Sequence, residues 1–299
     1  MERRKYGNTD MHVSILGFGG SEIGYQSVDS AQVDRLLGSA LDAGLNLIDT
    51  AECYRNSEEL IGKSVSHRRS DYYLFTKCGH ASGFELPHWD PVMLERSIDR
   101  SLKRLNTDYI DLIHLHSCSE EVLRQGEVIE VLERARSQGK TRYIGYSGDH
   151  SAALYAVQTG RFDSLMISFN IADQEALDEI LPEAERRGMG VVIKRPVANV
   201  AWRHAAEPDS KAYEHAYWQR LQKLAYPFLK DSMPEAVGHA LRYTLMTPGV
   251  HTSIVGTAKP ERWEQNARLL QAGPLSSAAY DAIRERWAQV AEPDWIGLQ

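Results

Sequence analysis

Short apolar runs alternate with amphipathic segments along almost the whole chain. The runs end in glycine or polar residues, which is typical of buried parallel strands. Between them, apolar positions recur at helical spacing, as in Val33, Leu36 and Leu37. The pattern predicts strands at 13–18, 45–48, 72–76, 109–115, 142–146, 164–169, 191–194 and 252–255. It predicts helices at 30–43, 58–65, 91–105, 122–137, 152–159, 174–187, 234–247, 260–270 and 276–290.

Eight strand-helix units without a break in composition predict an α/β fold, a single (β/α)8 TIM barrel over residues 1–299. The final helix at 276–290 is an addition to the eight units. A long insertion at 197–233 follows strand seven and is rich in aromatic and histidine side chains, among them Trp202, His204, Tyr213, Trp218, Tyr226 and Phe228. It is either a lid over the C-terminal face, where barrel enzymes place their chemistry, or a helical excursion remote from the site.

Composition narrows the function classes. The chain has 42% hydrophobic and 25% charged residues and a formal net charge of -7, with no long basic run. Nucleic acid is therefore not expected as a partner. No apolar stretch nears the roughly 20 residues that cross a bilayer, and the first residues lack the apolar core of a signal peptide. Three cysteines without C-x-x-C spacing indicate a reducing compartment, so a cytoplasmic location is expected.

Four polar side chains lie at or just after successive predicted strand ends. They are Asp49 and Tyr54 in L-I-D-T-A-E-C-Y, Lys77 in Y-L-F-T-K, and His116 in D-L-I-H-L-H. Tyrosine is a weak acid with an ordinary pKa of about 10, and a nearby ammonium lowers that value. Asp49 is expected to hold Lys77 charged and aimed, while His116 orients a reacting oxygen. The set suits proton delivery to a carbonyl oxygen.

These side chains and the words around them, D-T-A-x-x-Y, T-K and Y-I-D-L-x-x-x-H, resemble the aldo-keto reductases. The resemblance extends from Leu16-Gly17-Phe18-Gly19-Gly20 to Gln265-Asn266. It implies an N-terminal hairpin that caps the barrel and a catalytic tetrad of Asp49, Tyr54, Lys77 and His116. The implied reaction is NADPH-dependent reduction of a small aldehyde or ketone, with Tyr54 as general acid.

The segment from Ser253 to Asn266 reads as a strand, a turn and a helix start, a place where barrel enzymes often bind phosphate. It resembles the adenosine-phosphate motif of the family. The resemblance implies that Arg262 holds a 2'-phosphate and that Gln265 and Asn266 hold the adenine edge. Two cations, Lys259 and Arg262, favour NADPH over NADH.

The expected nicotinamide pocket departs from the family pattern. Gly148 stands where most relatives have asparagine, Met166 where many have glutamine, and Lys194 where an aromatic residue usually stacks on the ring. Asp149 or Asn170 is a candidate substitute for the lost side chains. With these changes, the predicted cofactor contacts are Gly19, Gly20, Asp49, Ser147, Lys194, Arg195, Pro196, Val197, Asn199, Gly256, Thr257, Lys259, Arg262, Gln265 and Asn266.

Two other functions remain open from the sequence. The altered nicotinamide pocket also suits an NADP(H)-binding regulatory protein with weak catalysis. His114 and His116, two apart on one strand, also suit a metal-dependent barrel hydrolase. No histidine follows strands five and six to complete a metal site, so His114 is interpreted as a core residue and no metal is expected. Expected substrate-pocket walls are Phe18, Tyr25, His80 and Trp89; the sequence indicates neither the substrate nor the oligomeric state.

Overall fold

Eight parallel strands close into a barrel in the computed structural model, which describes residues 1–298. The barrel strands are β3 (Leu16–Gly19), β4 (Leu47–Asp49), β5 (Tyr73–Cys78), β6 (Ile110–His116), β7 (Thr141–Ser147), β8 (Ser164–Ser168), β9 (Gly190–Lys194) and β10 (Thr252–Gly256). Each pairs with its neighbour in chain order, and β10 pairs with β3 to complete the circle. The predicted (β/α)8 barrel is confirmed.

A two-stranded antiparallel hairpin precedes the barrel, as predicted. It consists of β1 (Arg3–Lys5) and β2 (His12–Ser14). The predicted single strand at 13–18 is wrong, because the hairpin takes its first residues and β3 begins after Ile15. Tyr6 and Met11 of the hairpin are fully buried and pack into the barrel interior. The hairpin therefore forms an apolar floor at one end of the barrel.

Helices surround the barrel. They are α1 (Ser21–Tyr25), α2 (Ser30–Asp42), α3 (Ser57–Val65), α4 (Pro91–Leu105), α5 (Glu120–Gln125), α6 (Glu127–Ser137), α7 (His150–Thr159), α8 (Ile180–Arg186), α9 (His215–Leu224), α10 (Met233–Met246), α11 (Arg262–Leu269) and α12 (Ser277–Val290). Helix α4 has the predicted bounds, because Asp90 caps its N-terminus through the amides of Val92 and Met93 and Pro91 occupies the first turn. Within residues 1–298, no helix combines the length and apolar character needed to span a bilayer.

Two predicted helices are interrupted. The predicted helix at 122–137 is two helices, α5 and α6, because Gly126 between them adopts a left-handed conformation with φ 85°. The predicted helix at 174–187 is α-helical only in α8, after a short 3-10 turn at Glu175–Leu177. The insertion at 197–233 contains α9 between two further 3-10 turns, Ala198–Arg203 and Pro227–Lys230.

The core has two layers. Inward side chains from alternate strand positions fill the barrel, including Leu47, Phe75, Leu112, Met166 and Val192. A larger apolar layer lies between the strands and the surrounding helices. Because strand residues two apart share a face, the first layer identifies which rim residues point inward.

Candidate active site

The strand register brings the predicted polar residues to one rim. Two residues beyond the inward positions Leu47, Phe75 and Val192 come Asp49, Lys77 and Lys194. Asp49 lies opposite Gly19, Lys77 opposite His114, His116 opposite Ser147, and Lys194 opposite Ser168. The carboxyl ends of β4 to β9 therefore present a ring of polar side chains above the apolar interior.

The four predicted tetrad residues lie close together, with Lys77 at the centre of the group. The Lys77 Nζ donates to Asp49 Oδ2 at 2.6 Å and to the Thr50 carbonyl oxygen at 2.7 Å. The same Nζ lies 5.0 Å from the centre of the Tyr54 ring. The Tyr54 and His116 rings meet edge to face with centroids 5.6 Å apart. The sequence prediction that these four groups converge is therefore consistent with the geometry.

Tyr54 is positioned by the turn after β4. Its amide donates to the Ala51 carbonyl oxygen at 3.0 Å, and its own carbonyl oxygen accepts from the Ser57 amide at 2.9 Å, where α3 begins. Helix α1 packs its Gly24 directly against the Tyr54 carbonyl oxygen, so closely that any side chain at Gly24 would collide with it. The backbone that carries the phenol is thus held from both sides.

The prediction of a lowered Tyr54 pKa is wrong. Burial raises the pKa of Tyr54 to about 12, and the positive charge of Lys77 only partly offsets this effect. The phenol consequently keeps its proton across the physiological pH range. A general acid must hold the proton it will give, so this protonation state suits the predicted role.

The other three groups have defined charges near neutral pH. Burial raises the pKa of Asp49 to about 6, against the influence of Lys77, so the carboxylate is ionised at pH 7. Burial opposes the charge on Lys77, but Asp49 and Tyr54 outweigh it and its pKa is raised. Burial and the nearby Lys77 hold the pKa of His116 well below its ordinary value, so the imidazole is neutral.

A second buried ion pair occupies the expected nicotinamide side of the rim. Lys194 Nζ lies 2.8 Å from Asp149 Oδ2, and Asp149 Oδ1 accepts from the Ser168 amide at 2.8 Å. Burial opposes ionisation of Asp149, but Lys194 outweighs it and lowers the pKa. Asn170 is not free to replace a lost amide contact, because it donates to the Arg195 carbonyl oxygen and accepts from the Ala172 amide.

The loop after β9 is conformationally unusual. Arg195, Ala198, Asn199 and Val200 all have positive φ, between 46° and 59°. Positive φ is costly for a β-branched residue such as Val200, and such strain concentrates at functional sites. Asn199 Nδ2 is buried and has no hydrogen-bond partner among residues 1–298. An unpaired buried donor of this kind fits a bound ligand with acceptor oxygens, such as a dinucleotide.

The predicted adenosine-phosphate segment lies at the end of β10 and the start of α11. Lys259, Arg262 and Gln265 are exposed and Asn266 is partly exposed. Neither Lys259 nor Arg262 forms an ion pair within the described part of the chain, so both cations are available to an anion. Trp263 is fully buried and donates from Nε1 to the Gly17 carbonyl oxygen at 3.2 Å. This bond fixes the helix start against β3.

Two other predicted cofactor residues have structural roles. The Gly20 amide donates to the Asp49 carbonyl oxygen at 2.7 Å, and its carbonyl oxygen accepts from the Ser57 hydroxyl at 2.7 Å. Thr257 Oγ1 accepts from the Lys259 amide at 3.0 Å. Both sets of bonds shape the rim around the proposed cofactor path. The assignment of cofactor contacts to Gly19, Pro196, Val197 and Gly256 stays a prediction.

The insertion lies on the C-terminal face, in agreement with the lid interpretation. Tyr213 hydrogen-bonds to Arg195 at the end of β9, and its ring lies under the same guanidinium. Tyr217 donates to the buried Asp173 after β8 at 3.0 Å. The end of the chain joins this layer, because Arg195 also donates to the Leu298 carbonyl oxygen. The remote-packing alternative for 197–233 is wrong.

The residues around the opening differ partly from those predicted. Phe18 is fully buried in the layer between barrel and helices, so its prediction as a pocket wall is wrong. Tyr25 lies beside Tyr54, with ring centroids 6.1 Å apart, and Trp89 lies beside His80 at 5.6 Å. The sequence interpretation missed Cys53 and Tyr213 as rim residues. Cys53 adjoins Tyr54 in sequence, but nothing in its spacing indicated that it contacts His116.

His114 is a core residue, as predicted. It is fully buried one layer below His116, where its Nε2 lies 3.0 Å from Ser164 Oγ. The same hydroxyl contacts the Tyr6 hydroxyl of the hairpin at 2.5 Å. His114 therefore belongs to a hydrogen-bonded layer above the floor of the barrel.

This geometry agrees with comparison to known proteins. The family model for the aldo/keto reductase family matches residues 15–288, which include all four tetrad positions. The chain therefore belongs to the aldo/keto reductase family. It is an oxidoreductase that uses a nicotinamide cofactor and acts on carbonyl or alcohol groups.

Individual relatives span nearly the whole chain. The chain is 28% identical to the uncharacterized oxidoreductase YqkF of Bacillus subtilis, over 97% of each sequence. It is 30% identical to L-galactose dehydrogenase of Arabidopsis thaliana, over 89% of this chain and 87% of that protein. Among solved structures, the holo form of aldo-keto reductase AKR11C1 from Bacillus halodurans superposes with a TM-score of 0.82 at 28% identity, covering 96% of each chain.

Proposed function

We propose that this protein reduces a small aldehyde or ketone to an alcohol with NADPH, and that Tyr54 is the general acid. The observation that carries the proposal is the placement of the Lys77 ammonium between Asp49 and the face of Tyr54. A buried cation beside a phenol stabilises the phenolate that forms when the proton leaves. The same residues serve alcohol oxidation in the reverse direction.

In the proposed reaction, each side chain has one task. The bound cofactor supplies the hydride to the carbonyl carbon. Tyr54 gives its proton to the carbonyl oxygen, and the neutral His116 beside it orients that oxygen. Lys77 stabilises the resulting tyrosinate, and Asp49 holds Lys77 charged and in place. Tyr54 then regains a proton from solvent at the partly exposed rim.

The segment at the end of β10 and the start of α11, which is expected to bind the adenosine part of the cofactor, supports NADPH over NADH. Lys259 and Arg262 are exposed cations at the start of α11, and a guanidinium binds a phosphate through two parallel hydrogen bonds. Asn199, with its unpaired Nδ2, would hold the dinucleotide further along the rim. Ser147 would keep one hydrogen bond to the carboxamide, while Lys194 lies where the family usually stacks an aromatic ring.

The aromatic opening supports an apolar or sugar-like substrate. Tyr25, His80 and Trp89 line the side of the rim nearest Tyr54. Flat side chains of this kind bind apolar ligands and the C–H faces of sugars. The 30% identity to a plant L-galactose dehydrogenase makes aldoses an appropriate part of the substrate panel, tested in the oxidative direction with NADP+.

The decisive experiment compares Tyr54→Phe with Tyr25→Phe, a matched loss of a hydroxyl at the same rim. We expect Tyr54→Phe to lose about 10²- to 10⁴-fold in kcat/KM over a panel of aldehydes and ketones, because the proton donor is gone. NADPH affinity, measured by fluorescence titration, should change little in either variant. Tyr25→Phe should keep most of its rate.

Two outcomes would contradict the proposal. Near wild-type reduction by Tyr54→Phe would remove Tyr54 from its role. Tight NADPH binding by the wild type with no turnover on any panel member, in either direction, would favour a regulatory nucleotide-binding protein instead. Arg262→Ala tests the cofactor preference separately: it should weaken NADPH binding about tenfold or more and leave NADH unchanged, with Arg268→Ala on the same helix as control.

A further inference from the structure

Three side chains with metal-binding atoms meet beside Tyr54. The ligand atoms of Cys53, His80 and His116 all lie within 4.8 Å of one another. Cys53 Sγ is 3.4 Å from His116 Nδ1. The His80 and His116 rings stand edge to face with centroids 5.0 Å apart. The reaction proposed above uses only His116 of these three.

Adjacent strand ends create the cluster. Cys53 lies in the turn after β4, His80 follows the end of β5, and His116 is the last residue of β6. These strands are consecutive in the barrel, so their carboxyl ends share one arc of the rim. All three side chains are partly exposed, whereas the other two cysteines, Cys78 and Cys118, are buried. The cluster is therefore accessible from the substrate opening.

The donor set suits a soft divalent cation. Thiolate and imidazole ligands favour Zn²⁺ over Mg²⁺ or Ca²⁺, which prefer oxygen. With Zn–S of about 2.3 Å and Zn–N of about 2.0 Å, two ligands of a tetrahedral ion lie roughly 3.5 Å apart. The 3.4 Å separation of Cys53 Sγ and His116 Nδ1 matches one edge of such a tetrahedron. Three protein ligands leave the fourth position open to water.

We propose that Cys53, His80 and His116 form a three-ligand Zn²⁺ site whose occupation inhibits the enzyme. On binding, the Cys53 thiol releases its proton to solvent and the sulfur coordinates the ion, with no change of oxidation state. His116 then donates its Nδ1 lone pair to the metal, and its ring is tied to the ion and no longer turns to follow a carbonyl oxygen. The ion also blocks the approach to Tyr54. The inhibitory part rests on the proposed reductase function, while metal binding itself does not.

Binding is tested with Co²⁺ as a spectroscopic substitute for Zn²⁺ on chelator-treated full-length protein. We expect one equivalent of Co²⁺ to give thiolate charge-transfer absorption, and one equivalent of Zn²⁺ to abolish it. Cys53→Ser should remove that absorption, and His80→Asn should weaken Zn²⁺ binding at least tenfold, because each loses one ligand. Two matched controls away from the cluster, Cys118→Ala and the exposed His67→Asn, should titrate like the wild type.

The binding proposal fails if the wild type gives no thiolate absorption, if Cys53→Ser retains it, or if Cys118→Ala loses it. These outcomes do not depend on whether the protein reduces carbonyls. Inhibition is tested separately as the ratio of rates with and without Zn²⁺. In His80→Asn the Zn²⁺ concentration for half inhibition should rise at least tenfold, and a chelator should restore the wild-type rate. Stoichiometric Zn²⁺ binding with an unchanged rate would overturn the inhibitory part alone.

Discussion

The two halves of the candidate active-site rim each contain a buried lysine–aspartate pair, yet the hydrogen bonding of the two pairs differs. On the β4–β6 side, Lys77 lies against Tyr54, and Asp49 Oδ1 is buried without a hydrogen-bond partner among residues 1–298. On the β7–β9 side, Asp149 is well satisfied, since it binds Lys194 and the Ser168 amide. In the Asp49–Lys77 pair, the lysine ammonium faces the Tyr54 ring. In the Asp149–Lys194 pair, both charges are used in contacts that hold neighbouring strands together.

This contrast indicates that the Asp49–Lys77 pair serves the proposed reaction, whereas the Asp149–Lys194 pair serves the stability of the barrel rim. A buried ion pair that leaves an oxygen atom without a hydrogen-bond partner contributes little to stability. The presence of such a pair is better explained by its electrostatic effect on a neighbouring group. A fully hydrogen-bonded pair orders the strands it connects. Lys194 and Asp149 connect β9 to the loop after β7, at the place where the family more often has a stacking aromatic residue. The two halves are therefore expected to respond differently to mutation.

The largest effect is expected for Lys77→Met. Removing one partner of a buried ion pair leaves an uncompensated charge, and such changes cost about 3–5 kcal/mol. We expect urea unfolding to show a loss of this size at pH 7, where Asp49 is ionised in the wild type. The double variant Asp49→Leu/Lys77→Met should recover most of the stability while remaining inactive. A double variant as unstable as the single one would contradict this account of the pair.

Asp173, below the insertion, should lower the free energy of unfolding by about 3 kcal/mol between pH 5 and pH 8, at about 1.4 kcal/mol for each pH unit below its pKa. Burial and the nearby Asp149 raise the pKa of Asp173 to about 7. The unfolded chain ionises this carboxyl near its ordinary pKa of about 4, while the folded protein retains the proton up to about 7. Its contribution to stability is therefore fully present below pH 4 and is lost as the pH rises towards 7.

Asp173→Asn should remove that pH dependence. The difference in Tm between pH 5 and pH 8 should be smaller in the variant than in the wild type, and Tyr217 can still donate its hydrogen bond to the amide oxygen. Asp178→Asn, a change at an exposed carboxylate, is the control. An unchanged pH profile in Asp173→Asn would assign the dependence to other groups, such as Asp49.

The smallest effect is expected for Lys194→Met. Asp149 keeps the Ser168 amide and hydroxyl, and Arg195 lies 3.9 Å away, so its charge remains compensated. We expect a loss of about 1–2 kcal/mol in urea unfolding, clearly less than for Lys77→Met. An equal or larger loss in Lys194→Met would show that the two pairs do not differ in the way the hydrogen bonding indicates.

The sequence predicted the tetrad side of the rim better than the other side. A polar residue directly after an apolar run is a local signal, and alternation along the strand fixes its direction, so the sequence predicts that Asp49, Lys77 and His116 share one rim. The Asp149–Lys194 pair joins residues on different strands, so no local pattern shows it. The Tyr54 pKa was misjudged because burial, which a sequence does not display, outweighs the adjacent charge.

The fold errors have a similar origin. Gly126 ends one helix and starts another, but a single glycine costs a helix only about 1 kcal/mol, which is too weak a signal against a continuous apolar pattern. The strand predicted at 13–18 was split because the backbone changes partners at Ile15, from the hairpin to the barrel. In both cases the tertiary context decided between two conformations that the local sequence allows.

The N-terminal hairpin covers one end of the barrel, so the barrel is open only at its C-terminal face. Tyr6 and Met11 are fully buried at the far end, where they pack against the inward side chains of the barrel. Ligands that reach Lys77 consequently enter and leave through the opening at the C-terminal face. Tyr25 and Trp89 lie on one side of this opening, and the insertion lies on the other. A ligand that lies deeper in this opening must enter before, and leave after, any ligand that covers it.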